Sequence, residues 1–156
     1  MATEAKLRQL ADKGCPVYYF YSSERYLVRQ AITAITRILT ADSDEDATVL
    51  DGAAPEIEQL IMAAGTISFF GTRRVVVLPE IDPAAYSDKD LEELNSTLSS
   101  LENAVVVLGS VFELERSKLK TGKRAQKLIA QCKALGYTEE LAKPKPFELK
   151  MMMIDR

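Results

Sequence analysis

Histidine is absent from all 156 residues. That removes Ser-His and Cys-His nucleophilic pairs and every His-ligated metal, so any catalysis has to rest on carboxylates, lysine, tyrosine or a bound nucleotide. Cysteine is scarce. Cys15 and Cys132 are too few and too isolated for a disulfide framework or a zinc site, and they read as small apolar fillers in a reducing cytoplasm. No apolar run approaches the roughly eighteen residues needed to cross a bilayer. The opening segment MATEAKLRQLADKG has no apolar signal core, which argues against secretion and for a cytoplasmic protein. No repeat or low-complexity tract interrupts the chain.

What is present is a globular composition, 47% hydrophobic, at a length that suits one domain with its own core. The net charge is −3, but it is unevenly placed. Arg116, Lys118, Lys120, Lys123, Arg124, Lys127 and Lys133 follow one another with no acid between them, so 116–133 carries +7 and the remainder −3 − 7 = −10. Such asymmetry suits an acidic partner, DNA or a sister subunit; the competing reading is a solvated helix face.

Hydrophobic periodicity predicts alternating helices and strands. A short helix over TEAKLRQLADKG leads to an aromatic strand at Val17–Tyr21 and a long helix from about Glu24 to Leu39. The segment TVLDG is a short strand. PEIEQLIMAAGT reads as a helix with Pro55 at its first position and Ile57, Leu60, Ile61 and Ala64 inward. Val75–Leu78 is apolar without alternation, as in a parallel strand covered on both faces. Ser87 and Asp90 form a capping box for a helix striped by Leu91, Leu94, Leu98 and Leu101. NAVVVLGS is a fourth strand, a basic helix follows with Ala125, Leu128, Ile129 and Cys132 inward, and YTEEL is a fifth, edge strand. The expected fold is α/β, a three-layer sandwich with a mainly parallel five-stranded sheet. Residues 1–141 form the domain, and 142–156, with its AKPKPFE prolines, reads as a linker and the start of a following helical domain.

In such folds ligands sit at the carboxyl ends of the strands. A phosphate loop there needs glycines, whose backbone N–H groups wrap the phosphates, and a lysine. The first strand-to-helix turn, YSSERYLV, has neither, and Glu24 would repel phosphate. Ser22 and Ser23 read instead as an N-cap. The third strand ends in Leu78-Pro79-Glu80, so proline stands where a magnesium-binding carboxylate is needed. Glu80 and Asp82 read as loop charges and Asp51 as a turn former. The competing possibility is a small nucleotide-binding or phosphate-accepting enzyme using Asp51, Glu80 or Asp82.

The stretch GTISFFGTRRVVVL places Phe69 and Phe70 beside a glycine turn and in front of Arg73 and Arg74. Either the rings cap the core or they face a partner. The preceding helix already has an inward stripe, and adjacent residues on a turning backbone point different ways. Arg73 and Arg74 are either a polar rim for that contact or charges that keep an apolar strand soluble.

Together, VYYFYSSERYLVRQAI, TVLDG, TISFFGTRRVVVL and ELERSKLKTGKRAQKLIAQCKALG resemble, in order and spacing, the N-terminal domain of the DNA polymerase III delta subunit family of clamp loaders. Where many relatives have glycine in the first turn, this chain has Ser22. The resemblance implies an AAA-type, P-loop-like domain that lacks its phosphate loop, with no catalytic, cofactor or metal residues. It implies binding to the beta sliding clamp, help in opening it, and association with delta prime and gamma/tau subunits, with DNA near the assembled complex. The chain would be a non-catalytic part of a DNA-directed DNA polymerase (nucleotidyltransferase) assembly. The family's clamp-contacting apolar residues fall on Ile67, Phe69 and Phe70.

Overall fold

A computed structural model of the chain describes residues 3–41, 46–65 and 73–142. The expectations for Ile67, Phe69, Phe70 and the linker beyond Ala142 lie outside these described residues. Helix α1 (Glu4–Asp12) starts under the Thr3 hydroxyl, which accepts the Lys6 N–H. Then come β1 (Val17–Ser22), α2 (Arg25–Thr40), β2 (Thr48–Val49), α3 (Ile57–Gly65) and β3 (Arg74–Leu78). A 3₁₀ turn at Pro83–Ala85 precedes α4 (Asp88–Ser99) and β4 (Ala104–Val111). A hairpin of β5 (Leu114–Glu115) and β6 (Lys118–Leu119) leads into α5 (Gly122–Leu135) and β7 (Tyr137–Glu140).

Five strands form one parallel sheet in the order β2-β3-β4-β1-β7. Side chains alternate across it. Tyr18, Phe20, Val75, Val77, Val105 and Val107 meet Leu7 of α1 and Val28, Ala31 and Ile35 of α2. Val17, Tyr19, Val76, Leu78, Val106 and Leu108 meet α3, α4 and α5 through residues such as Leu60, Leu94 and Leu128. Because helices cover both faces, the strands have no polar side, and the consecutive apolar runs seen in the sequence follow from that. Each such side chain removed from water contributes roughly 1.5–3 kcal/mol.

Two glycines allow close approaches. A Cβ at Gly109 of β4 would stand 2.4 Å from the Pro79 carbonyl oxygen and 2.6 Å from Ile32 Cδ1, so glycine lets α2 lie against the sheet. At Gly136, between α5 and β7, a Cβ would stand 2.1 Å from the Val17 carbonyl oxygen.

Several local expectations are corrected. Strand β2 has two residues rather than five. Helix α3 begins at Ile57, and Pro55 stands before it, with its carbonyl accepting the buried Tyr86 hydroxyl at 2.9 Å. Ile61, expected inward, is 52% exposed, because the buried face of α3 centres on Ile57 and Leu60. The first half of the predicted capping box is present: Ser87 Oγ accepts the Asp90 N–H at 3.1 Å. Among the described residues no helix is long and apolar enough to cross a membrane.

Candidate functional site

The two ends of the parallel sheet differ in character. At the carboxyl ends, β1 turns into α2 through Ser22, Ser23 and Glu24. The serines do not cap α2 as the sequence suggested. Glu24 holds the N-cap position without a side-chain cap, and Ser22 Oγ accepts the Glu24 N–H at 3.0 Å, one step earlier. Arg25, the first residue of α2, is bound across the rim by Glu80: Nε to Oε1 at 2.5 Å and Nη2 to Oε2 at 3.1 Å. This fork raises the guanidinium pKa, mainly through the hydrogen bond and the carboxylate's charge. Glu80 is therefore paired rather than a free loop charge. Asp82 caps the 3₁₀ turn, with Oδ1 accepting the Ala84 N–H at 3.0 Å, and Asp51 is exposed.

Around them lies a groove of about 840 Å³ that includes Arg25, Glu80, Asp82, Phe112 and Lys120. The carboxylates proposed for an enzymatic reading do not converge there: one is salt-bridged, one caps a turn, and Asp51 is not among the lining residues. Among the described residues no group of three acidic, cysteine or histidine side chains is placed to hold a metal ion. Beneath the rim a hydrogen-bond chain ties the strands together. The Tyr19 hydroxyl and Ser110 Oγ are 2.6 Å apart, and Ser110 Oγ donates to the Ile81 carbonyl at 2.8 Å. Burial pushes the Tyr19 hydroxyl pKa upward, partly offset by its bond to Ser110.

The basic segment opens at the same end. Arg116 and Ser117, at φ 52° and 67°, form the two-residue turn of the β5–β6 hairpin, a backbone shape that matches strand twist. Sequence reasoning missed this hairpin because the turn is Arg-Ser rather than Asn-Gly; the only clue was Glu115 opposite Lys118, flanked by Leu114 and Leu119. Arg116, Lys118, Lys120 and Lys123 are exposed. Arg124 is drawn aside, with Nε on Asp88 Oδ1 at 3.0 Å.

At the amino ends, α3 stops at Gly65 and β3 starts at Arg74, and Ile67, Phe69 and Phe70 fall between them in the sequence. Arg73, expected at a contact rim, is half-buried and donates from Nη2 to the Ala104 carbonyl at 3.4 Å. The Arg74 N–H donates to the Asn103 carbonyl at 2.8 Å. Arg73 thus ties the residue before β3 to β4. Beside it a groove of about 580 Å³ runs between the last turns of α3 and α4, lined by residues including Ile61, Gly65, Thr97 and Asn103. On α3, Ile61 and Met62 are 52% and 73% exposed.

Comparison with known proteins bears on this arrangement. Residues 18–135 match the family model described as DNA polymerase III, delta subunit. The DNA polymerase III subunit delta of Bacillus subtilis (strain 168) is 27% identical over 137 residues, which cover 80% of this chain and 39% of that protein. Among solved structures, the Bacillus subtilis DNA clamp loader delta protein superposes with a TM-score of 0.68 at 23% identity, over 98% of this chain and 46% of that one. A DNA polymerase III gamma subunit-related protein from Thermotoga maritima gives 0.62 at 15% identity, over 94% of this chain and 48% of that one. At these identities the superpositions establish a shared fold. The chain spans less than half the length of each of these relatives.

Proposed function

The chain belongs to the DNA polymerase III delta subunit family, and from that premise we propose that it binds the beta sliding clamp and helps to open it for loading on DNA. Ile67, Phe69 and Phe70 are the apolar anchors of this reading. The observation that carries it is the exposed apolar surface of Ile61 and Met62 on α3, the helix whose last residue, Gly65, leads into that segment. Large apolar side chains left exposed side by side support a partner surface. Arg73 acts as a positioning residue, holding the segment's base through the Ala104 carbonyl.

Two phenylalanines buried on a partner contribute roughly 3–6 kcal/mol before association costs, so polar contacts around them must add to the affinity. The mechanism needs no bond chemistry on this chain. A tip that fits a strained clamp surface better than the closed one shifts the clamp toward opening, by the difference between the two affinities. ATP hydrolysis then belongs to other loader subunits, and the partners of this chain besides the clamp are delta prime and gamma/tau, in the cytoplasm. Residues 142–156 lead toward a further helical domain. In this reading Arg116, Lys118, Lys120 and Lys123, exposed at the carboxyl end of the sheet, meet a DNA backbone or a sister subunit.

Surface plasmon resonance of the full chain against its own organism's sliding clamp tests the proposal. The double substitution Phe69→Ala, Phe70→Ala abolishes binding and leaves circular dichroism and the melting temperature nearly unchanged. A large loss of stability would place both rings in the core and overturn it.

A further inference from the structure

A third surface lies away from both ends of the sheet. On the face carrying α1 and α2, strand β2 closes one edge of the sheet with only two residues, and α2 leaves it partly uncovered. Val49 points to the same face as its register partner Val77, yet Val49 is 52% exposed while Val77 is 3% exposed. Between Val49 and α2 runs a groove of about 370 Å³, floored by Ile32, Val49 and Val77 and flanked along the helix by Arg29, Thr36 and Arg37. Arg29 and Arg37 are exposed, and neither makes an ion pair among the described residues. Thr36 Oγ1, on the same wall, is buried without a hydrogen-bond partner there.

The spacing defines an occupant. Arg29 and Arg37 are eight residues apart on a helix that rises 1.5 Å per residue, so they stand about 12 Å apart. In an extended chain, residues four apart are separated by about 13 Å and lie on the same side, with the residue midway between them on that side too. Strand β2 is also the edge of the sheet among the described residues, so its outer side pairs with no other strand there. We propose that this groove takes an extended segment of a partner protein with the pattern acid–x–apolar–x–acid. The segment lies beside β2, with its apolar side chain on Ile32 and Val49 and its two carboxylates on Arg29 and Arg37. The two positive charges at the groove's ends favour this occupant over a purely apolar one. The surface is on the other face of the sheet from α3 with its exposed Ile61 and Met62, and it does not depend on clamp binding.

The test titrates the ¹⁵N-labelled full chain with the peptide acetyl-Asp-Ser-Leu-Thr-Glu-amide. Amide shifts are expected at Thr33, Thr36 and Val49. Arg29→Gln and Arg37→Gln, both exposed helix positions compatible with the fold, each weaken binding by about threefold. Replacing the peptide's leucine with serine removes binding. The proposal is overturned if millimolar peptide shifts nothing, if the shifts map elsewhere, or if a permuted peptide of the same composition binds equally well. Concentration-dependent self-association that Val49→Asp abolishes would assign the groove to a second copy of this chain and also overturn it.

Discussion

Gly109→Ala is the sharpest test of how this domain is assembled, because the change adds one methyl group at a position where three neighbours already occupy the space. The new Cβ would lie 2.4 Å from the Pro79 carbonyl oxygen, 2.6 Å from Ile32 Cδ1 and 2.8 Å from Val28 Cγ1. Ordinary contact begins near 3.4 Å. The Ile32 methyl can swing aside, but Val28 is 1% exposed and the Pro79 oxygen is backbone, so α2 and the turn after β3 must separate by most of an ångström. Overpacking of this kind costs about 1–3 kcal/mol. The Ile81 N–H to Gly109 carbonyl bond, 2.9 Å long, lies in the same strained turn, and its loss adds roughly 0.5–1.5 kcal/mol. Reduced freedom of the unfolded chain returns about 0.5–1 kcal/mol. The net expectation is a destabilisation of roughly 2 kcal/mol. With an m-value of about 2 kcal/mol/M, the urea midpoint falls by about 1 M at unchanged slope. Gly65→Ala is the control. Nothing lies within 4 Å of its Cβ, so it should hold or raise stability by up to about 1 kcal/mol. If Gly109→Ala unfolds at the same urea concentration as the parent, the packing of α2 on the sheet is not as described.

Other expectations follow from the rim and the core. Ser110→Ala should cost more than Tyr19→Phe, about 1–3 against about 0.5–1.5 kcal/mol in urea unfolding, because it strips a partner from both Tyr19 and the Ile81 carbonyl; the reverse order would refute the chain of bonds. Glu80→Gln should shift the melting temperature little, since solvent screens the pair with Arg25, and a stability loss above about 1 kcal/mol in urea unfolding would refute that screening. Magnesium with ATP should leave the melting temperature of the parent unmoved; a rise that grows with nucleotide would restore the enzymatic reading. Burial pushes the Cys132 thiol up to about 12 and the Tyr86 hydroxyl up to about 12, above their ordinary values of 9.0 and 10.0. The folded state therefore keeps protons that the unfolded chain releases. That stability is intact below pH 9 and is lost as pH rises toward 12, at a slope approaching about 1.4 kcal/mol per pH unit for the thiol alone. Cys132→Ala should flatten the fall between pH 9 and 10, and an unchanged slope would show that the thiol does not contribute.

The layered α/β plan was legible in the sequence because its causes are local. Consecutive valines at 75–77 and 105–107 can only be strands covered on both faces, and the Ser87 cap, the Leu91-Leu94-Leu98 stripe and the missing glycines after β1 are all short-range facts. The candidate anchors Phe69 and Phe70 were singled out the same way, from composition beside a turn and from family likeness, and they lie outside the described residues. Other features depended on groups distant in the chain. Arg25 meets Glu80 across 55 residues, Arg73 reaches the Ala104 carbonyl across 31, and Arg124 turns to Asp88 across 36. Such pairings turn on which loops the sheet order brings together, and no periodicity encodes that. The inward stripe of α3 was misjudged for the same reason: a helical wheel shows an apolar face, but the neighbouring helix decides how far it is rolled, and here that leaves Ile61 in the open. Residue pattern alone determined the layers and the absence of a phosphate loop. Only the packed structure decided which charges neutralise each other and which apolar surface stays uncovered, because both depend on distances between segments that the chain order does not constrain.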